Sequence, residues 1–296
     1  MLFLLFLLST LLLVDAKPLT DEENHYNNRN CGANLIYGEP HMGLKPVGEI
    51  DRIYPFDHSW VPYVVTIVTK NSEKATGALI SPRHVITGSQ IIPRLFRGRC
   101  DREGNYHFGY AEFGGARITD IFYPADGEII SAVGIHMCQR YGDLPFYTIM
   151  EISSDVQKTQ YIPICIAPMG LLHDAKYVMT GDLYTITENW LERPLPCQDD
   201  RWQNVSGVQC YRSLKRMCVE HYGGVTMRGY DVDLRYTASG LVTYQSRNHE
   251  SAVYCERRDP ERSIAVIRLA DEIFNICKHT GVCPEQRRYF ADSSKK

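Results

Sequence analysis

The stretch Cys218–Gly224, Cys-Val-Glu-His-Tyr-Gly-Gly, has the residue spacing of a loop that presents a nucleophile. Tyr222 stands in the presenting position, directly before Gly223 and Gly224. A phenol has a pKa of about 10, so this side chain is a poor nucleophile unless a base lies beside it. Whether the protein does chemistry therefore depends on the elements that would bring a base to this loop.

Those elements are predicted to be short β-strands. Runs rich in β-branched and aromatic residues, separated by turn residues such as Ser81-Pro82-Arg83, recur along the chain and favour β-barrels or β-sandwiches. One helix is expected over 270–278, with Ile273, Phe274 and Ile276 as its apolar residues. The predicted strands are 63–68, 77–80, 84–87, 116–122, 128–133, 146–152, 177–180, 183–187, 224–227, 240–244 and 263–268.

The ends of the chain differ in composition from its middle. Residues 2–14 are almost wholly apolar and Val14-Asp15-Ala16 has small residues at cleavage positions, so 1–16 is predicted to be a secretory signal peptide. A membrane anchor is the alternative, but a spanning helix needs about 20 apolar residues. The polar segment 17–47 is expected to be a flexible or propeptide-like arm, and 278–296 a polar tail.

Composition and charge narrow the classes of partner. The chain has 296 residues, of which 44% are hydrophobic and 23% charged, and its formal net charge is -3. This balance gives no reason to expect nucleic acid or an anionic membrane as a partner. We expect a secreted, extracellular globular protein with no cofactor.

Ten cysteines indicate up to five disulfides in a secreted chain. The one cluster with zinc-like spacing is Cys277-Lys278-His279-Thr280-Gly281-Val282-Cys283. In a secreted protein such a cluster favours a local disulfide loop over a metal site. We therefore expect no metal.

Several motifs, taken in order, resemble the chymotrypsin/trypsin-like serine proteases. Leu79–Thr87 resembles the segment before that family's catalytic histidine, and Asp143-Leu144-Pro145-Phe146 the segment with its aspartate. Tyr161–Pro168 looks like the connection between the two barrels, and Gly240–Tyr244 like the strand lining the substrate cleft. The resemblance implies two six-stranded antiparallel β-barrels, about 48–165 and 166–268, followed by a C-terminal helix, within a domain spanning 48–277.

Residue by residue, the resemblance implies that the catalytic groups are replaced. Gln90 stands in the position of the base, and a neutral amide cannot accept and return a proton at physiological pH. Asp143 stands in the aspartate position but has no imidazole to orient. The family's cysteine after the histidine is Ile91, and its partner position is Ala75, so both halves of one family disulfide are absent together.

The nucleophile loop and the activation site also lack the residues that the family's mechanism requires. Tyr222 replaces the serine, and Glu220 replaces the glycine whose N–H helps to bind the oxyanion, so a negative charge would oppose the developing one. His221 replaces the aspartate that binds the freed N-terminus, and Pro46 after Lys45 would block trypsin-like cleavage. Arg216 falls on the floor of the specificity pocket and would repel basic side chains.

The family's disulfide pattern implies Cys31 with Cys165, Cys197 with Cys210, and Cys218 with Cys255. Cys277 and Cys283 are paired by proximity, and Cys100 and Cys138 are the two that are left. Asn204-Val205-Ser206 is a sequon, so Asn204 is expected to carry a glycan on a surface loop.

Three hypotheses of function follow. The first is a secreted, non-catalytic protease homologue that binds a protein, such as a protease, an inhibitor or a substrate protein. The second is an active serine-type hydrolase with a rearranged site, for which His84, His136, His221 and Ser239 are candidates. The third is a ligand-binding module in which Tyr222 and Gln90 line a new pocket.

Overall fold

The described part of the chain consists mainly of β-strands. The structure is a computed structural model. It describes residues 17–32, 53–55, 63–68, 74–88, 99–109, 117–119, 127–138, 147–153, 162–168, 177–182, 185–197, 202–203, 205–213, 223–228, 235–243 and 263–284. The helices are α1 (Asp21–Asn30) and α2 (Ile273–Thr280). The strands are β1 (Ile53–Pro55), β2 (Val64–Val68), β3 (Lys74–Ser81), β4 (His84–Gly88), β5 (Arg99–Cys100), β6 (Tyr106–Gly109), β7 (Arg117–Thr119), β8 (Gly127–Ile135), β9 (Tyr147–Ile152), β10 (Cys165–Ile166), β11 (Tyr177–Asp182), β12 (Thr185–Leu195), β13 (Val208–Ser213), β14 (Val225–Arg228), β15 (Thr237–Thr243) and β16 (Ser263–Arg268).

The first sheet contains six strands that pair antiparallel in a cyclic order. Strand β2 pairs with β3, β3 with β4, β4 with β9, β9 with β8, β8 with β7, and β7 with β2 again. The short strands β5 and β6 form an antiparallel pair that joins this cycle through β8. The expected count of six strands is therefore met, with two further strands beside the six.

The second sheet repeats this arrangement. Its cycle runs through β12, β11, β14, β15, β16 and β13 and returns to β12, and all these pairings are antiparallel. Strand β1 adds to β12, and β10 lies parallel to β15. Because β1 precedes every strand of the first sheet in sequence, the N-terminal part of the chain contributes a strand to the second sheet.

The alternation of side chains along a strand explains the two main cores. Val64 packs in a core that includes residues of both sheets and of α2, whereas its neighbour Val65 packs in a core made only of first-sheet residues. In β4, Ile86 and Val85 divide in the same way. Both faces of these strands are thus apolar and buried, which is why their sequences are continuous β-branched runs.

Helix α1 shows that Asp21–Asn30, within the segment predicted to be a flexible or propeptide-like arm, is helical and not flexible. It begins with a capping box, in which Thr20 Oγ1 accepts from Glu23 N (3.2 Å) and Glu23 Oε2 accepts from Thr20 N (2.7 Å). This arrangement satisfies two of the backbone N–H groups left free at a helix start. The sequence signal, Thr-x-x-Glu, is present but lies in a strongly polar stretch.

Polar side chains attach α1 to the rest of the protein. Asn27 donates to Ile80 O (3.0 Å), and Asn24 and Asn28 both donate to Cys283 O, at 3.0 and 2.9 Å. Asn27 is 3% exposed. Asn27 and Asn28, two of the asparagines that favoured a solvated arm, are therefore buried donors to backbone carbonyls, and these hydrogen bonds offset the cost of burying them.

Helix α2 ends at Thr280, with Gly281 in the left-handed conformation (φ = +68°) as its C-cap. The helix was expected over 270–278, and beyond its end Cys283 N donates to Asn24 Oδ1 (3.0 Å). The described residues contain four disulfides, which join Cys31 with Cys165, Cys100 with Cys138, Cys197 with Cys210, and Cys277 with Cys283. All four agree with the expected pairings. Cys218 and Cys255 lie outside the described residues.

Candidate functional site

The candidate site is the place where three chain segments meet between the two sheets. Gly88, the last residue of β4, is the register partner of Tyr147, the first residue of β9. Gly223 approaches the same point from the second sheet, since a Cβ built on it would lie 2.9 Å from Gly88 N and would overlap Thr87 Oγ1 and Thr76 O. Segments that are far apart in sequence are therefore in contact here.

Gly223 has a conformation and a position that suit glycine. Its φ is +89°, which side-chain-bearing residues rarely adopt. Its N–H donates to Val242 O (3.0 Å), and Val242 N donates to Gly224 O (2.9 Å). On the first-sheet side, Thr87 Oγ1 donates to Thr76 O (2.7 Å), which fixes the surface that the glycine meets. Gly223, the first glycine of the pair singled out in the sequence, thus forms a close contact between the sheets.

The side chains predicted to lie at this point are outside the described residues. This applies to Gln90, Asp143, Arg216, Glu220, His221 and Tyr222, and also to Asn204. Tyr222 directly precedes Gly223, and Gln90 follows Gly88 by two positions, so the described neighbours of both lie together. Asp143 is four positions before Tyr147, the first described residue of β9. Their roles stay predictions.

His84, a candidate base for a rearranged hydrolase, is buried inside the first sheet with no exposed surface. Its Nδ1 lies 2.8 Å from Ser81 Oγ, and its Nε2 has no hydrogen-bond partner among the described residues. Burial first, and the nearby Arg83 charge second, lower the pKa of His84 to about 3. An imidazole that is neutral, inaccessible and weakly basic cannot activate a serine at neutral pH.

His136, the second candidate, follows β8 in a left-handed conformation (φ = +57°). Its Nε2 lies 3.5 Å from Glu272 Oε2 and 3.3 Å from Asn275 Nδ2. Tyr147 donates its O–H to the same Glu272 oxygen (3.2 Å), and burial, followed by the Glu272 charge, raises the pKa of that phenol well above its usual range. This network ties α2 to β8 and β9.

Ser239, the candidate nucleophile, lies within β15 and is 3% exposed. Its hydroxyl donates to Thr226 O (3.2 Å) and lies 3.2 Å from Thr226 Oγ1. A side chain engaged across two paired strands has neither the exposure nor the turn that a nucleophile requires. Among the described candidates, none combines an accessible serine with a histidine base.

Sequence analysis missed the polar cluster around the chain segment that precedes α1. Arg83, in the turn between β3 and β4, donates to both carboxylate oxygens of Glu23, at 3.0 and 2.9 Å. The hydrogen bonds from Arg83 and Thr20 lower the pKa of Glu23 to about 2. The signal was the capping box itself, because it predicts that Glu23 lies at a fixed place on a helix.

Nothing in the described part of the chain resembles a metal centre: no three His, Cys, Asp or Glu side chains there are placed to hold an ion. Within the same residues, no helix is long and apolar enough to cross a membrane.

The architecture described above is that of a mostly-β protein with two largely antiparallel sheets and a C-terminal helix. Residues 1–95 match the family model described as the nematode trypsin-6-like family, so the N-terminal part of the chain is similar to that family. The match includes Leu79–Thr87 and Gln90, but it does not extend to Asp143 or to Cys218–Gly224. The search of curated proteins found no match.

Proposed function

We propose that this protein is a secreted, trypsin-like protein that has lost its catalytic chemistry and acts by binding another protein. The observation that carries the proposal is the contact of Gly223 with Thr87 and Gly88. It supports the alignment in which Tyr222 and Gln90 take the nucleophile and base positions of one cleft. In that alignment an amide replaces the histidine base and a phenol replaces the serine nucleophile. The proton transfer from serine to histidine that activates the nucleophile therefore has neither partner.

The fold supports this assignment. Six pairings in cyclic order in each sheet are what two closed barrels require, and we infer that both sheets close as barrels of the trypsin type. Four disulfides favour an oxidising, extracellular location. Gln203 and Ser206, on either side of the Asn204 position in sequence, are exposed, which is compatible with a glycan on Asn204.

The binding role is inferred from what the chain keeps. Apolar cores and four disulfides hold the described residues together, and a rigid cleft would retain shape complementarity without turnover. A phenol at the cleft mouth would add an aromatic anchor of the kind enriched at protein interfaces. The rearranged-hydrolase alternative is less well supported, because His84 and Ser239 are both buried.

Active-site labelling tests the loss of chemistry. The mature secreted protein is treated with a fluorophosphonate probe beside an equal amount of active trypsin, and the labelled peptides are mapped by mass spectrometry. We expect trypsin to be labelled stoichiometrically and this protein not at all. Stoichiometric labelling at any one serine would overturn the proposal.

Cross-linking in the fluid into which the protein is secreted tests the binding role. We expect an adduct with another protein whose yield falls strongly for Tyr222→Ala. The matched control is Tyr26→Ala on α1, because Tyr26 is a large exposed aromatic, at 49% exposure, outside the proposed cleft. An equal effect of both substitutions would exclude the cleft as the binding surface.

A further inference from the structure

The four residues before α1 are held along the surface of the first sheet and α2. Arg83 Nε and Nη2 donate to the carbonyls of Lys17 and Pro18, at 3.4 and 3.3 Å. Leu19 N donates to Thr280 O (2.7 Å), and the Leu19 side chain is buried in the core shared by both sheets. The chain is therefore positioned from Lys17 onward, well before its first helix.

The Lys17 backbone nitrogen lies 3.0 Å from Glu151 Oε2. Glu151 is in β9 and is only 4% exposed, and the same oxygen accepts from Ser131 Oγ (3.0 Å). No Lys, Arg or His side chain in the described part of the chain forms an ion pair with it, and Arg83 is occupied by Glu23. A buried carboxylate that accepts only from neutral donors is less stable than one that also faces a cation.

The sequence supplies a candidate for that cation at the N-terminal end of the described chain. The predicted signal peptide ends at Ala16, so cleavage there would make Lys17 the first residue and turn its backbone nitrogen into an α-ammonium. We propose that the Ala16–Lys17 bond is a processing site, and that the new Lys17 α-ammonium forms an ion pair with the buried Glu151 carboxylate. This inference rests on the secretion that the proposed function includes, but not on the loss of catalysis or on the binding role.

The chemical change is a hydrolysis by a signal-peptidase-class enzyme. Water adds across the Ala16–Lys17 amide, so Ala16 leaves as a carboxylate and Lys17 gains a protonated amine. Before cleavage, the Lys17 amide can donate one neutral hydrogen bond to Glu151. After cleavage, the same nitrogen carries a positive charge at the same distance, and charge-assisted hydrogen bonds to carboxylates are the stronger kind. Processing would therefore lock the α1 segment onto the domain.

The first experiment identifies the mature N-terminus. The full chain is expressed through a eukaryotic secretory pathway, and the N-terminal peptide of the purified protein is determined by mass spectrometry. We expect the peptide to begin at Lys17 with an unmodified α-amine. A different first residue, or a blocked amine, would overturn the proposal.

The second experiment measures the coupling between terminus and carboxylate. One glycine is inserted between Ala16 and Lys17, which keeps the Lys17 N–H donor but moves the charge away, and the insertion is made with Glu151 and with Glu151→Gln. We expect the insertion to lower the Tm by about 4–8 °C with Glu151 and by less than about 2 °C with Gln.

The Gln background is the matched control, because any steric effect of the extra residue is the same in both. Equal Tm losses in the two backgrounds would show that the insertion acts sterically and not through the position of the charge. No loss with Glu151 would show that the ammonium does not stabilise the carboxylate. Either result would overturn the ion pair even if the mature chain begins at Lys17.

Discussion

Replacing Gly223 by alanine is predicted to destabilise the contact between the two sheets. The φ of +89° costs a residue with a side chain about 1–2 kcal/mol. The new Cβ would overlap Thr76 O and Thr87 Oγ1, and such overpacking adds about 1–3 kcal/mol. We therefore expect the free energy of unfolding to fall by about 2–5 kcal/mol.

Urea unfolding of the disulfide-intact protein measures this loss. With an m value of about 3 kcal/mol/M, the midpoint should fall by about 0.7–1.7 M. Gly104→Ala is the matched control, because Gly104 has a similar φ of +85° in a turn of the first sheet. It should show only the backbone cost, a shift of about 0.3–0.7 M. If Gly223→Ala costs no more than Gly104→Ala, the close approach of Gly223 to Thr76 and Thr87 is refuted.

Three further predictions concern stability and modification. Arg83→Met should lower the free energy of unfolding by about 2 kcal/mol in urea melts, because it removes charge-assisted hydrogen bonds to Glu23. Arg29→Met, at an exposed position, should change it by less than about 0.5 kcal/mol. Equal losses for the two substitutions would contradict the anchoring role of Arg83. The lowered pKa of His84 predicts that the free energy of unfolding falls as pH drops from 6.5 toward 3, by up to about 1.4 kcal/mol per pH unit, because the unfolded state binds the proton in that range. His84→Asn should make the urea midpoint less dependent on pH over that range. An unchanged pH dependence would refute the assignment to His84. Glycosidase treatment should reduce the mass of the secreted protein, and Asn204→Gln should abolish that shift; a shift that persists would place the glycan elsewhere.

The strands were predictable where both faces are apolar. Val64–Val68 and His84–Gly88 are continuous runs with high β propensity, and their bounds differ little from the prediction. The pair Arg99–Cys100 was missed because two residues carry no periodic pattern. The bond between Cys100 and Cys138 was reached only because the other cysteines had been paired, since sequence separation does not determine distance in space.

Helix α1 was missed for a physical reason. Its asparagines are poor helix formers and are expected to be exposed to solvent. Their hydrogen-bond partners are the carbonyls of Ile80 and Cys283, which are remote in sequence. Only the tertiary fold places those carbonyls beside the helix. The same reason applies to Glu151, whose role depends on the position of Lys17. Of the candidate site, the sequence singled out the Gly223-Gly224 pair, whereas the contact of Gly223 with Thr76 and Thr87 depends on the tertiary fold.

A crystal structure of the mature secreted protein tests the central claim most directly, through the separation of the Gln90 side-chain amide and the Tyr222 ring. The account predicts that the two side chains are in van der Waals contact, about 4 Å apart, in one cleft beside Gly223. It also predicts that no serine hydroxyl there is hydrogen-bonded to a histidine. Side chains that do not meet, or a Ser–His pair that faces the cleft, would contradict the account.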